Sequence, residues 1–149
     1  MTTITVATLL DRVREEGDYE NSGVLTDAVM LPWATVAHGE YCDMLDEEWD
    51  GYRDTTGSLT TVAGTATVAL PAAFLKARAV QLLYNGTYRA LERYEPSRQI
   101  LGHDIANGTP RGYLHVGSNL ELFPTPDAVY TIRLRYVPAA TAFTSTADT

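Results

Sequence analysis

The sequence predicts an α+β fold: two or more N-terminal helices followed by an antiparallel β domain. Three observations carry this. Apolar residues recur at helical spacing as far as about residue 50. From Gly51 the spacing shortens to alternation, in stretches rich in Thr and Val. Asn85-Gly86 then supplies the strongest hairpin signal of the chain, because both turn residues accept positive φ.

Each element follows in order. Thr3 or Thr5 caps a first helix whose Val6, Leu9, Leu10 and Val13 form one apolar stripe, and Gly17 to Gly23 ends it. Thr26 caps a second helix running to about Asp50. Its expected buried stripe is Val29, Trp33, Val36, Ala37, Tyr41, Met44, Leu45 and Trp49, with a kink at Pro32, which lacks the N–H that would bond Ala28. Leu59–Val62 and Thr65–Leu70 flank Ala63-Gly64 and read as a hairpin. Lys76–Tyr84 and Thr87–Tyr94 flank Asn85-Gly86 as a second. Glu95 to Pro110 has no period and reads as a long loop, of a length uncommon unless functional.

Arg111 to Val137 reads as three strands. Leu114, Val116, Leu120, Leu122, Tyr130, Ile132, Leu134 and Tyr136 are expected inside, with His115, Glu121, Thr131, Arg133 and Arg135 outside. After Pro138 the chain turns small and polar. The expected organisation is one compact unit with a helical part at 1–50, a β part at 51–140 and an extended or disordered tail at 141–149.

Composition limits the function. A chain of 149 residues with 45% hydrophobic and 20% charged residues suits one globular domain. No run of about 20 apolar residues is present to span a bilayer, and the N-terminal stretch lacks the basic flank and apolar run of a signal peptide. Cys42 is the single cysteine, so an intrachain disulfide is impossible and a reducing cytoplasm is the expected setting. Net charge is −8, unevenly placed: residues 1–50 hold two arginines against twelve acids. Such a segment is a poor ligand for nucleic acid, whose binding relies on basic groups that release counterions. A chain with one acidic end and one mildly basic end suits protein–protein docking.

Motifs for chemistry are weak. His38 and Cys42 lie four apart on a helix, but a zinc site needs three or four such ligands. Asp43, Asp46, Glu47, Glu48 and Asp50 sit on a helix, where a calcium loop would need a Gly-hinged turn. Ser97, His103 and Asp104 have triad residue types without a nucleophile elbow. No glycine-rich phosphate-binding pattern occurs. Arg133 and Arg135 share a strand face, with Lys76 and Arg78 as possible neighbours, and read best as protein-contacting cations. The acids Asp46, Glu47, Glu48 and Asp50 end the second helix where they oppose its dipole, a cost that a basic partner surface would offset.

The order of these segments resembles a known family. LTDAVMLPWATVAHGEYCDMLDEEWDGYRD is followed by a Thr-rich stretch into VALPAAFLKARAV, then NGTYRALERY, then NLELFPTPDAVYTIRLRYV. The closest echoes are Leu70-Pro71 with Phe74, Leu122-Phe123-Pro124 with Pro126-Asp127, and Tyr130 to Val137 before Pro138. Over roughly residues 5 to 140 the chain is similar to the tailed-bacteriophage head–tail adaptor, or connector, proteins. That resemblance implies a structural protein, not an enzyme, with no cofactor, no metal and no catalytic residue. It implies a homo-oligomeric ring, a dodecamer, in the neck of the virion between the portal protein and tail or neck proteins, assembled in the host cytoplasm. Packaged DNA would pass through its channel without specific binding, and no membrane is involved.

On this reading the acidic helices face the channel. The candidate interface residues are Glu15, Glu16, Asp46, Glu47, Glu48, Arg98, His103, Arg111, Arg133 and Arg135, with the loop 95–110 meeting a portal or tail partner. Relatives usually continue with a Trp-containing segment and a C-terminal helix; here the stretch Ala139 to Thr149 is instead expected as an arm reaching onto a neighbour. The alternative is a stand-alone ligand- or carbohydrate-binding β module. It requires a solvent-facing aromatic cluster, for which Tyr88, Tyr94 and Tyr113 are the candidates.

Overall fold

A computed structural model describes residues 4–20, 23–95 and 106–148. Among the described residues two helices precede eight strands, and the contacts divide the chain into two compact units: residues 1–52 with 140–149, and residues 53–139.

The first unit is built from both ends of the stretch. Helix α1 (Val6–Glu16) starts at Thr5, whose hydroxyl accepts from the Thr8 amide at 3.3 Å. A helix leaves its first four amides without partners inside the helix. Here the Leu9 amide bonds the Thr5 carbonyl, and those of Val6 and Ala7 donate to the carbonyls of Asp148 and Thr146, each at 2.9 Å. The Leu9 bond is the first of the helix's own ladder, so three amides ahead of it, those of Val6, Ala7 and Thr8, find partners outside that ladder, two of them in the C-terminal segment. That segment, expected as an extended or disordered tail, lies against the helices of its own unit: Phe143 packs on the cluster of Val6, Leu10 and Met30, and its amide donates to the Thr35 hydroxyl. One aromatic ring in an otherwise small, polar tail gave too little apolar signal to place it.

Helix α2 (Asp27–Glu48) runs through Pro32 without interruption. Thr26 has the extended backbone of an N-cap but makes no side-chain cap bond. The Arg14 guanidinium ties the start of α2 to α1, donating to the Leu25 carbonyl at 3.2 Å and to the carboxylates of Asp11 and Asp27. The stripe expected to be buried is the exposed one: Trp33, Val36, Tyr41, Met44 and Trp49 are all more than half exposed, while Met30 and Cys42 are buried. An α-helix that is apolar around its circumference has no period from which to choose the inner face.

The second unit is two four-stranded sheets sharing one core. Strands β1 (Thr55–Thr60), β8 (Thr131–Pro138), β3 (Phe74–Tyr84) and β4 (Thr87–Ala90) form the first sheet, in the order β1-β8-β3-β4. Strands β2 (Thr67–Ala69), β7 (Asn119–Phe123), β6 (Gly112–Val116) and β5 (Glu92–Arg93) form the second, β2-β7-β6-β5. Pairing is antiparallel except for β5 on β6. Val80, Leu82, Ile132 and Leu134 from one sheet meet Val68, Tyr113, Leu120 and Leu122 from the other. Full burial of each Leu or Ile contributes about 1.5–3 kcal/mol, so these inner faces hold the unit together.

Asn85 and Gly86 take φ of 49° and 75°, as the expected tight hairpin between β3 and β4 requires. The other expected hairpin is not one: β1 pairs with β8 and β2 with β7, so the turn at Ala63-Gly64 carries the chain from one sheet to the other. Its anchor is Thr61, buried, whose hydroxyl donates to the Ala128 carbonyl and accepts from the Tyr130 amide at 2.7 Å. Residues 124–130, which carry the chain back from β7 to β8, are thereby fixed to the same point. One alternation assignment also shifts, since Val116 is 48% exposed at the end of β6, and Tyr113, weighed as a solvent-facing aromatic, is buried. The Phe123–Pro124 peptide is cis.

Gly112 is required by its neighbour. A methyl group there would sit 2.5 Å from the Tyr94 ring, which stacks on Phe123. Gly112→Ala is therefore expected to lower stability by about 1–3 kcal/mol, the range for overpacking a core, in chemical denaturation. A second expectation concerns acid. The Asp148 carboxylate accepts from the Thr144 and Ser145 amides at 2.8 and 2.9 Å, and these bonds hold it below the usual carboxylate range. Its contribution to seating the C-terminal segment is complete above an unfolded pKa of about 4 and is lost as pH falls through the lower folded value. Amide NMR shifts of Val6 and Ala7 should therefore titrate only in that acid window, and Asp148→Asn should remove the step.

Candidate interaction surface

The acids expected at an interface crowd the helix ends. Glu15 and Glu16 are exposed in the last turn of α1, and Glu47 and Glu48 in the last turn of α2; Asp46 is half-buried. Helix α2 contains no Lys or Arg and ends at Trp49, whose amide donates to the Leu45 carbonyl at 2.9 Å. Acids at this terminus work against the helix dipole with no basic side chain in the last turn to compensate.

The start of α1, the middle of α2 and the C-terminal segment enclose an open apolar cleft of about 300 Å³, lined among others by Ile4, Leu9, Ala37, His38, Tyr41 and Phe143. His38 stacks on Phe143 with ring centroids 5.0 Å apart. Its Nδ1 lies 3.3 Å from the Thr141 carbonyl, which can only accept, so Nδ1 carries the proton. Nε2, 3.5 Å from the Cys42 sulfur, is then the acceptor for the thiol hydrogen. The two residues weighed as metal ligands thus meet as a packing pair, and no third ligand joins them among the described residues.

On the β unit the cations differ in how free they are. Arg133 is exposed on β8, donates twice to the Gln81 side chain at 2.9 and 2.6 Å, and stacks over the Tyr88 ring at 3.9 Å. Arg135 bonds Asp54 at 2.7 Å, and Arg78 lies 3.4 Å from the other oxygen of the same carboxylate. Arg135 points outward as expected but is committed to an internal ion pair. The Asp54 side chain is only 7% exposed, a detail the sequence concealed because its partners are 24 and 81 positions away. Arg111 is exposed and borders two shallow hollows, one with Tyr84 and Arg89 and the other with Tyr94 and Phe123. Arg98 and His103, with Ser97, Asp104 and most of the loop between Glu95 and Pro110, lie outside the described residues.

The aromatic candidates for a sugar platform do not assemble. Tyr113 is in the core, where burial raises its phenol pKa; Tyr94 is stacked on Phe123; and Tyr88 lies under Arg133. What the described surface offers is apolar helix flanked by acids, and a sheet face carrying cations. It suits contact with proteins. No helix among the described residues is long and apolar enough to cross a membrane.

A family model described as SU10 adaptor protein matches residues 4–149. A comparison with individually curated proteins returns no match.

Removing the shared carboxylate should matter more than removing either cation. Asp54→Ala leaves Arg78 and Arg135 side by side without it and is expected to cost about 1.5–3 kcal/mol in urea denaturation, the range for hydrogen bonds to charged groups. Arg135→Ala, at an exposed position, should cost less than about 1 kcal/mol.

Proposed function

The chain belongs to the SU10 adaptor protein family, the phage head–tail adaptors that its sequence resembles, and we propose that it forms a ring joining the portal to the tail. The match over residues 4–149 carries this reading, because it spans both units and the C-terminal segment together. The ring, a dodecamer, lines and extends the DNA channel in the neck of the virion, and its contacts are with the portal protein, with tail or neck proteins and with its own copies. Its role is structural, without catalysis.

Two features support the details. The helical unit exposes large apolar side chains, as an assembling surface does and a monomer rarely does over a wide area. It also concentrates acid, and Glu15, Glu16 and Glu48 are the exposed carboxylates we place toward the channel, where negative charge lets DNA move without sticking. The loop 95–110 is the proposed contact with portal or tail.

Negative-stain imaging and native mass spectrometry of the purified chain, alone and with its portal, test this directly. The expected result is rings, free or portal-bound. A protein that stays monomeric in the presence of portal and instead binds a sugar would reverse the reading in favour of the ligand-binding module.

A further inference from the structure

Helix α2 uses only part of its apolar circumference inside its own unit. Met30 and Cys42 are buried and Ala34 and Leu45 half-buried. Away from them, Val29, Trp33, Val36, Glu40, Met44 and Glu47 follow one another at steps of three or four residues, and all six are exposed. Residues so spaced share one helix face. Trp33, Val36 and Met44 keep 60%, 62% and 65% of their surface in water, which a helix apolar all round normally avoids by burial. The seam is therefore built to be covered, and its two carboxylates state the condition on what covers it. The partner must bring apolar surface together with cations.

Charge across the chain points to the partner. The helical unit has two arginines against thirteen acids, whereas the β unit has nine cations against six acids. Packing α2 on the α2 of another copy would bring carboxylates together with no basic residue on either helix. The β unit of another copy offers the opposite: exposed Leu75 beside exposed Lys76 on β3, and exposed Arg111, neither cation ion-paired among the described residues. We infer that the seam Val29–Glu47 of one copy docks head to tail on the β unit of the next, with Glu40 and Glu47 meeting Lys76 and Arg111. A contact between two different surfaces propagates from copy to copy and makes a ring where its rotation closes, whereas a self-complementary contact stops at a dimer. Apolar burial supplies the affinity and the exposed ion pairs, each weak, set which surface is accepted. The inference rests on the adaptor reading and names the contact that would build its ring.

The test uses the full chain in native mass spectrometry across a concentration series at low salt, and on its portal. Three double variants are compared: Trp33→Ser with Met44→Ser, Glu40→Lys with Glu47→Lys, and Lys76→Glu with Arg111→Glu. All six positions are exposed, and far-UV circular dichroism should be unchanged. Each variant alone should need at least about tenfold more protein to assemble, and an equimolar mixture of the two charge-reversed variants should recover assembly. If Lys76→Glu with Arg111→Glu assembles as the parent does, the β unit is not the partner and the inference is overturned. Rings on the portal from all three variants would likewise overturn it while leaving the adaptor reading intact. A parent chain that assembles neither alone nor on the portal removes both.

Discussion

Strand β8 is the element on which the β unit depends. It is the strand that pairs with β1 on one side and β3 on the other, and its inward residues Ile132 and Leu134 are wholly buried against the facing sheet. Without it β1 has no ladder to join, and β3 is left with β4 alone. The same strand carries Arg133 and Arg135 on its outer side, so the alternation that fills the core also sets the spacing of the surface cations. The buried core and the cationic face are two consequences of one period.

The strands of the β unit were legible because alternation, Asn-Gly and Pro-Asp turns are local signals. What joins them was not. The Ala63-Gly64 turn has the chemistry of a hairpin, and nothing within ten residues of it reports that β1 and β2 belong to different sheets. That outcome is decided by Thr61 and its bonds to Ala128 and Tyr130, more than sixty positions away. Asp54 poses the same difficulty: an ordinary acid in the sequence becomes the shared partner of two arginines only through the register of β1, β8 and β3.

The helices show the complementary limit. Helix positions and caps could be read at Thr5 and Thr26, but the inner face of α2 could not. Its Trp, Tyr, Met and Val side chains occupy several faces, and a rule that places apolar residues inside picks the most prominent stripe. In the isolated chain that stripe is outside. Among the acids, Glu15, Glu16, Glu47 and Glu48 are exposed and Asp46 is half-buried.

Consider again the first turn of α1, whose Val6 and Ala7 amides are satisfied by the carbonyls of Asp148 and Thr146. On the ribosome this helix emerges early, yet the groups that complete its N-terminal turn are made only after the entire β unit. The helical unit reaches its final form late, once both flanks of the β unit have been translated. A chain cut short of Thr146 and Asp148 would thus present an incomplete first turn of α1.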